Sequence, residues 1–211
     1  MNTVTFEDYN DPKIVYNSFE HLGLYLSSKS IGAATPKILT VDIPFGDGEL
    51  DYTEFFGSVK YNNRSLSFSF SVVSDRREFL KKYSLIQNLL NGRKMKITLS
   101  DDSDFYYVGR VTVNEWETDK SIGKIVIDVN ASPYKLKHAT TVIYTAVSTT
   151  THINCPNLKM VVVPKITLSD IKCTVTGADL FKEGDNIVTI TPKSGATLPI
   201  MVTIEYQEGS L

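Results

Sequence analysis

SLSFSFSVV, residues 65–73, decides the fold class of the first half of this chain. Leu66, Phe68, Phe70 and Val72 alternate with polar residues, so they point to one side of an extended backbone. The serines point to the other side, where water or a neighbouring strand can satisfy their hydroxyls. The pattern predicts a half-buried strand in an antiparallel sheet.

One helix follows directly, in SDRREFLKKYSLIQNLLNG, residues 74–92. Ser74 is the expected N-cap, and Gly92 is expected to close the last turn. Apolar side chains recur every three to four positions and predict a buried stripe: Phe79, Leu80, Tyr83, Ile86, Leu89 and Leu90. Arg76 and Arg77 lie at the positive end of the helix, which is mildly unfavourable. They indicate either a solvated basic face or a contact with a partner.

Strand patterns dominate the rest of residues 1–135. Short alternating runs precede the SLSFSFSVV strand, and each is bounded by Gly, Pro, Asn or Asp. After the helix, KMKITL, FYYVGRVTVNEWE and GKIVIDVNA predict a three-stranded antiparallel meander. Trp116, the single tryptophan, falls in the long middle strand and is either a core residue or an interface anchor.

The composition changes near SPYK, residues 132–135, which indicates a domain boundary. Residues 136–211 carry fewer charges and no convincing helix, and five Thr- and Val-rich runs predict short strands. NCPN, residues 154–157, is interpreted as one of the turns between them. Pro164 predicts an edge strand or a bulge, since proline cannot donate to a central ladder. The predicted class is therefore mainly β: an α+β domain, residues 1–135, and a small β-sandwich, residues 136–211.

The composition of the chain excludes several classes of function. With 211 residues, a formal charge of -2 and no basic run, the chain is not expected to bind nucleic acid tightly. No apolar run reaches the length that spans a bilayer, and the N-terminus lacks the pattern of a signal peptide, so we expect folding in a cytoplasm without membrane insertion. The two cysteines, Cys155 and Cys173, are expected to be buried thiols, with a single disulfide as the alternative.

No combination of residues typical of an enzyme occurs in the sequence. His21, His138 and His152 are far apart and lack the spacing of a metal pair. The glycine-rich phosphate loops and the nucleophile elbow of common hydrolases are also missing. We therefore predict no catalytic residue, no metal and no cofactor.

The segment GDGELDYTEFFG, residues 46–57, is unusually rich in acids and aromatic rings. Its spacing of acids resembles the start of a calcium loop, but Tyr52 stands where the required glycine belongs and Ser58 where the final acid belongs. An acid pair for glycoside cleavage is a weaker alternative. A surface that meets another protein is the third alternative.

Three segments in order resemble the distal tail protein (Dit) family of phages with long, non-contractile tails. They are DIPFGDGELDYTEFFGSVKYNNRSLSFSFSV, the helix ending in LLNGRKMKITLSDDSDFYYVGRV, and DKSIGKIVIDVNASPYK. The resemblance covers about residues 40–136 and is looser for EGDNIVTITPKSG and VTIEYQEGSL near the end. The chain has only about 75 residues after SPYK, too few for the carbohydrate-binding insertion of larger members.

The resemblance implies a structural protein of the virion tail tip, assembled in the host cytoplasm. The first domain would form a hexameric ring that leaves a channel for DNA, and the second would be galectin-like. Implied partners are the tail tube protein, the tail-associated hub protein, and peripheral baseplate or receptor-binding proteins. Candidate subunit or partner contacts are Asp47, Glu49, Tyr52, Phe55, Phe56, Arg76, Arg77 and Trp116.

Two other functions compete with the hub of a tail tip. A β-sandwich can bind a glycan on an aromatic platform, but residues 136–211 offer only Tyr144 and Tyr206 as tyrosines and no tryptophan. A tail tube subunit would also form rings rich in β-structure. The strands at residues 65–73 and 105–117 are expected to leave unpaired edges that a neighbouring subunit covers, which favours ring closure.

Overall fold

A computed structural model describes residues 2–55, 57–119 and 122–211, apart from the side chains of 115–119. The chain divides into two compact units, residues 1–133 and 134–211, and each has its own hydrophobic core. Within the described ranges, no helix has the length and apolar character needed to cross a bilayer. The protein is mainly β, as the sequence predicts.

Unit 1 contains nine strands and one helix. The helix is α1 (Arg76–Leu90). The strands are β1 (Val4–Asp8), β2 (Val15–Asn17), β3 (Tyr25–Ile31), β4 (Thr40–Asp42), β5 (Glu49–Asp51), β6 (Arg64–Val73), β7 (Lys94–Leu99), β8 (Asp102–Asp119) and β9 (Ile122–Ala131). Seven of them form an antiparallel sheet in the order β2-β1-β7-β8-β9-β6-β3, so the predicted meander β7-β8-β9 is confirmed.

Strand β6 has the two faces that its sequence predicts. Phe68 lies opposite Ile127 and Phe70 opposite Ile125 of β9, and all four side chains are buried. The serines face the other way, and the hydroxyl of Ser71 lies 2.6 Å from that of Ser27 on β3. Apolar side chains at alternate positions of adjacent strands thus line one buried face of the sheet.

Helix α1 covers part of this buried face. Phe79, Ile86 and Leu90 are buried, and Tyr83 and Leu89 pack partly against the same core. The predicted stripe is therefore confirmed for these five residues. The prediction is wrong for Leu80, whose side chain remains 41% exposed on the outer side of the helix.

The helix is capped one residue later than predicted. Asp75, not Ser74, is the N-cap, and its carboxylate accepts a hydrogen bond of 2.8 Å from the backbone N–H of Glu78. A carboxylate at this position also complements the positive end of the helix. At the other end Gly92 has φ of +77°, so it closes the helix as predicted.

The strands at residues 65–73 and 105–117 are not edges, so that expectation is wrong. β6 lies between β9 and β3, and β8 lies between β7 and β9. The edges of the seven-stranded sheet are β2 and β3. A contact between subunits therefore has to use another surface.

Unit 2 is a small β-sandwich of short strands. They are β10 (Lys135–Lys137), β11 (Thr141–Val147), β12 (Thr151–Asn157), β13 (Lys165–Leu168), β14 (Cys173–Thr176), β15 (Gly184–Pro192), β16 (Ile200–Tyr206) and β17 (Gly209–Ser210). Two antiparallel sheets, β11-β16-β13 and β12-β15-β14, share one core, while β10 pairs with β17. Phe181 and Tyr206 meet edge to face within that core, with ring centroids 5.1 Å apart.

The sequence interpretation missed three strands of unit 2, namely β10, β12 and β17. NCPN is part of β12 and not a turn. The expectation for Pro164 is confirmed, because it directly precedes β13 at the edge of its sheet.

Both cysteines are buried free thiols, as expected. Cys155 on β12 pairs with Asn186 of β15, and Cys173 on β14 pairs with Pro192. These partners are six positions apart, or about 20 Å along the strand, far beyond the reach of a disulfide. Burial also raises the pKa of the Cys155 thiol, which makes it less reactive.

We expect limited trypsin digestion to cut first within residues 131–142, at Lys137. Residues 138–140 are exposed and outside any strand, so a protease can bind them in extended form. Lys124 and Arg110 lie in strands that are paired on both sides and serve as internal controls. Mass spectrometry of early digests measures the order of cleavage. Earlier cleavage within β8 or β9 would contradict two independent domains.

Candidate functional site

A two-stranded arm, residues 35–61, connects β3 to β6. β4 and β5 pair with each other in a sheet separate from the large one. The pairing continues toward the base of the arm, where the backbone N–H of Lys37 donates to the carbonyl of Lys60 at 2.7 Å. The arm is therefore one long hairpin whose tip is the turn at 46–48.

The arm has one apolar face and one acidic face. Val41 lies directly opposite Leu50, and the backbone N–H of Tyr52 donates to the carbonyl of Leu39 at 2.8 Å. Because side chains alternate along a strand, these four lie on one face. The opposite face carries Thr40, Asp42, Glu49 and Asp51.

Both faces of the arm are exposed in the single chain. The exposed fractions of its large apolar side chains are Ile38 68%, Leu39 49%, Val41 50%, Ile43 37%, Leu50 47%, Tyr52 36% and Phe55 71%, and Phe45 is fully exposed. Contiguous apolar surface of this kind is characteristic of a binding site for a macromolecule. An isolated two-stranded hairpin is also only marginally stable in water. The arm thus has the properties of a segment completed by a partner.

The acidic segment begins in the tip of the arm and continues along β5 toward the base. Asp47 lies in its tip, Glu49 and Asp51 in β5, and Glu54 in the following turn, all exposed. Among the residues that the structure describes, no group of three His, Cys, Asp or Glu side chains is placed to hold a metal ion.

Asp51 acts as a hydrogen-bond acceptor within the arm. The Thr53 side chain and then its backbone amide hold the pKa of the Asp51 carboxyl below its usual range. The Thr53 N–H donates to Oδ1 of Asp51 at 2.8 Å. A depression of about 360 Å³ beside it is lined by Pro36, Ile38, Asp51, Thr53, Glu54 and Val59. Because Asp51 stays ionised at neutral pH, it is a poor general acid for glycoside cleavage.

The aromatic residues of the arm are presented to solvent. Tyr52 and Phe55 meet edge to face with centroids 5.8 Å apart, and both remain exposed. Phe56, the third predicted contact among the rings, lies outside the described residues. An exposed aromatic pair supplies large contact area at low entropic cost when it binds another protein.

The outer side of α1 is the second exposed surface of interest. Arg77, Lys81, Ser84 and Asn88 follow one another at three-to-four spacing and are exposed. Leu80 and Leu85, at 41% and 52%, are exposed on the same stripe. Arg76 is also exposed beside it. The stripe therefore combines apolar side chains with an excess of basic ones, and the single acid beside it is Glu78 in the first turn of α1.

Trp116 and two of the histidines considered for a metal pair lie elsewhere in the chain. The backbone of Trp116 pairs with Ile125 within β8 and β9, while its side chain lies outside the described part. Nδ1 of His21 accepts from the Asn17 N–H at 2.8 Å, and His152 lies 2.8 Å from the Thr189 hydroxyl in unit 2.

The aromatic residues of unit 2 give limited support to a glycan platform. Tyr206 is buried, and its hydroxyl donates to the carbonyl of Pro156 at 2.6 Å. Burial raises the pKa of Tyr206 to about 12. Tyr144 is 73% exposed on β11. One of the two candidate rings is thus unavailable to a sugar.

Sequence reasoning identified the arm's acids and rings but missed its apolar face. KILTVDI, residues 37–43, has the pattern of an ordinary half-buried strand, yet every residue in it is exposed. The structure shows why: this apolar run and the acidic segment both lie between β3 and β6, which are neighbours in one sheet, and the sequence alone does not reveal that pairing. A hairpin inserted there has no layer of its own to cover it.

Comparison with known proteins gives a match in fold. No protein-family model matches the chain, and no curated protein matches it significantly. Among solved structures, the chain matches the crystal structure of the SPP1 Dit (gp 19.1) protein. The TM-score is 0.61 at 14% identity, and the match covers 100% of both chains.

The similarity to Dit establishes the fold of the whole chain. The SPP1 protein is described as a paradigm of the hub adsorption apparatus in phages that infect Gram-positive bacteria. At 14% identity the match shows the fold and assigns no role to individual residues. The function of the present chain has to be inferred from its own surfaces together with that shared fold.

Proposed function

We propose that this chain is a structural subunit of a phage tail, the hub that joins the tail tube to the tail tip. The observation that carries the proposal is the match in fold to a Dit hub protein along the full length of both chains. The match covers both units and not only one domain of a common type. It is therefore more specific than a match to a single widespread fold. The role is structural and not enzymatic.

The subunits form a closed ring of six copies at the distal end of the tube. The exposed arm and the basic helix stripe support this proposal, because a protein that ends its assembly in a ring needs two different contact surfaces on each copy. A net charge of -2 also suits a channel through which DNA passes without binding.

The partners of the ring are the tail tube protein on one side and the tail-associated hub protein on the other. Unit 2 is a galectin-like sandwich, open to peripheral baseplate or receptor-binding proteins. The location of the protein is the virion tail tip, after assembly in the host cytoplasm. The candidate contacts Asp47, Glu49, Tyr52 and Phe55 lie on the exposed arm, and Arg76 and Arg77 on the exposed helix.

Light scattering coupled to size exclusion tests the ring. We expect the mass to rise with protein concentration to about six times the 23.6 kDa of one chain, because a closed ring stops growth at a fixed number. Addition of the tail-hub protein should stabilise the ring at lower concentration. A monomer at every concentration, even with that protein present, would overturn the proposal.

Electron microscopy of the same sample separates the hub from its two rivals. Discrete rings support the hub, whereas long stacked tubes would identify a tube subunit.

For the glycan-binding alternative, an array of immobilised glycans is probed with the full chain and with Tyr144→Ala as the control. Binding that depends on Tyr144, without any ring, would support the glycan-binding module instead.

A further inference from the structure

The apolar face of the arm requires a cover that one copy of the chain does not provide. Leu39 and Tyr52 lie side by side on it, next to the pair Val41 and Leu50, and all four are at least 36% exposed. Apolar side chains at alternate positions are the pattern of a strand packed on one side. The pattern is present here, but the residues that the structure describes leave this face exposed.

The charge on the arm restricts which surface can cover it. Residues 35–61 carry five acids and two lysines. Asp47 in the tip and Glu54 in the turn after β5 lie at the two ends of the apolar face. Asp42 and Glu49 are directly opposite each other on the far face, an unfavourable pairing of like charges. A basic surface with apolar side chains would bury the apolar face and pair with the acids at its two ends, Asp47 and Glu54.

The outer stripe of α1 has these properties. Arg77 and Lys81 are one helical turn apart, which is itself a repulsive spacing. Leu80 and Leu85 are exposed beside them. Arg77 is also close to the positive end of the helix, where an anionic partner is favoured over a cation. The arm is acidic and the outer stripe of α1 is basic, so their charges are complementary. Both surfaces also carry exposed apolar side chains.

We infer that the arm of one copy docks on the outer stripe of α1 of a second copy. Both surfaces are exposed in the single chain, so they do not cover each other within one copy. A contact between two different surfaces is heterologous, and its repetition around an axis generates a ring. Arg77 and Lys81 pair with Asp47 and Glu54 at the rim, while Leu80 and Leu85 pack against the apolar face. This inference rests on the proposed self-assembly and specifies its contact.

Charge reversal with mixing tests the contact. One variant carries Asp47→Lys and Glu54→Lys on the arm, and a second carries Arg77→Glu and Lys81→Glu on the helix. All four side chains are exposed, so both variants should fold, which circular dichroism checks. Each variant alone should self-associate at least about tenfold more weakly than the original chain. An equimolar mixture should recover the lost association, because every contact then joins opposite charges.

A matched control holds the change in net charge constant. Lys182→Glu with Lys193→Glu alters two exposed lysines of unit 2 by the same charge as the helix variant. This control should associate like the original chain. A loss as large as that of the helix variant would show that total charge and not the docking contact controls association, which would overturn the inference.

Zero-length carbodiimide cross-linking locates the contact directly. Equal amounts of ¹⁴N- and ¹⁵N-labelled protein are mixed, so that a link between copies appears as mixed isotope pairs in the mass spectrum. We expect mixed links from Lys81 to Asp47 or Glu54. Rings whose mixed links exclude Lys81, or failure of the two reversed variants to complement, would overturn this contact and leave the proposed ring intact. Absence of both rings and mixed links would instead overturn the proposed function.

Discussion

Replacing Phe79 with alanine should lower the free energy of unfolding of unit 1 by about 3–5 kcal/mol. Phe79 is only 1% exposed and belongs to the large core cluster that α1 forms with the sheet. Its removal takes away buried apolar area and leaves a cavity that the surrounding strands cannot fill. A urea titration followed by the fluorescence of Trp116, the single tryptophan, measures the loss.

Leu80→Ala is the matched control for this variant. Leu80 is the next residue on the same helix, with the same backbone environment, but its side chain is 41% exposed. Its truncation should cost less than about 1 kcal/mol. Equal effects at the two positions would show that helix propensity and not burial determines the loss.

Gly123 provides an independent check on the position of the Phe79 ring. A Cβ atom at Gly123 would lie 2.1 Å from Cε2 of Phe79, so Gly123→Ala should cost about 1–3 kcal/mol through overpacking. In the Phe79→Ala background the added methyl enters empty space and should cost less. A double-mutant cycle measures this coupling, and additive losses would contradict the contact.

The elements that the sequence predicted correctly are those in which local pattern and burial agree. β6 alternates with period two and is buried on one side, and α1 repeats its apolar residues at helical spacing. In both cases the buried face follows from the geometry of the backbone. Leu80 is an exception. The side of α1 that contacts the sheet is narrower than its stripe of apolar residues, so Leu80 stays outside the contact.

The errors arise where tertiary position overrides local preference. Asn and Pro in NCPN favour a turn, yet the segment lies in β12, at one edge of the sheet β12-β15-β14. At an edge, Pro156 can face away from the partner strand and costs no ladder hydrogen bond. The order of strands in a sheet depends on long-range pairing, which a single sequence does not reveal.

The candidate site was predictable in its chemistry but not in its geometry. Acids and rings between Gly46 and Gly57 indicated a contact, and Arg76 and Arg77 indicated a basic helix end. Whether these residues lie next to exposed apolar surface depends on which strands are excluded from the large sheet. β4 has the sequence of a strand and β5 pairs with it, but both stand outside the large sheet, and that exclusion is what makes them available to a partner.

Gly177→Ala should destabilise unit 2 by about 3 kcal/mol, for two additive reasons. Gly177 has φ of +78°, a left-handed conformation that costs an L-residue about 1–2 kcal/mol. A Cβ there would also lie 2.2 Å from the backbone carbonyl oxygen of Ile187 in β15. That oxygen belongs to the central strand of its sheet and cannot move without disturbing its neighbours on both sides.

Gly184→Ala separates the two reasons, because Gly184 has φ of +91° but nothing within 4 Å of the added Cβ. This control should lose only the conformational part, about 1–2 kcal/mol. Cys155 and Cys173 are the two cysteines of the chain and both are buried in unit 2, so their labelling by a thiol reagent in increasing urea reports the unfolding of that unit. If the two alanine variants expose these thiols at the same urea concentration, then β15 yields to the added methyl, and the carbonyl of Ile187 is not held rigidly by its sheet.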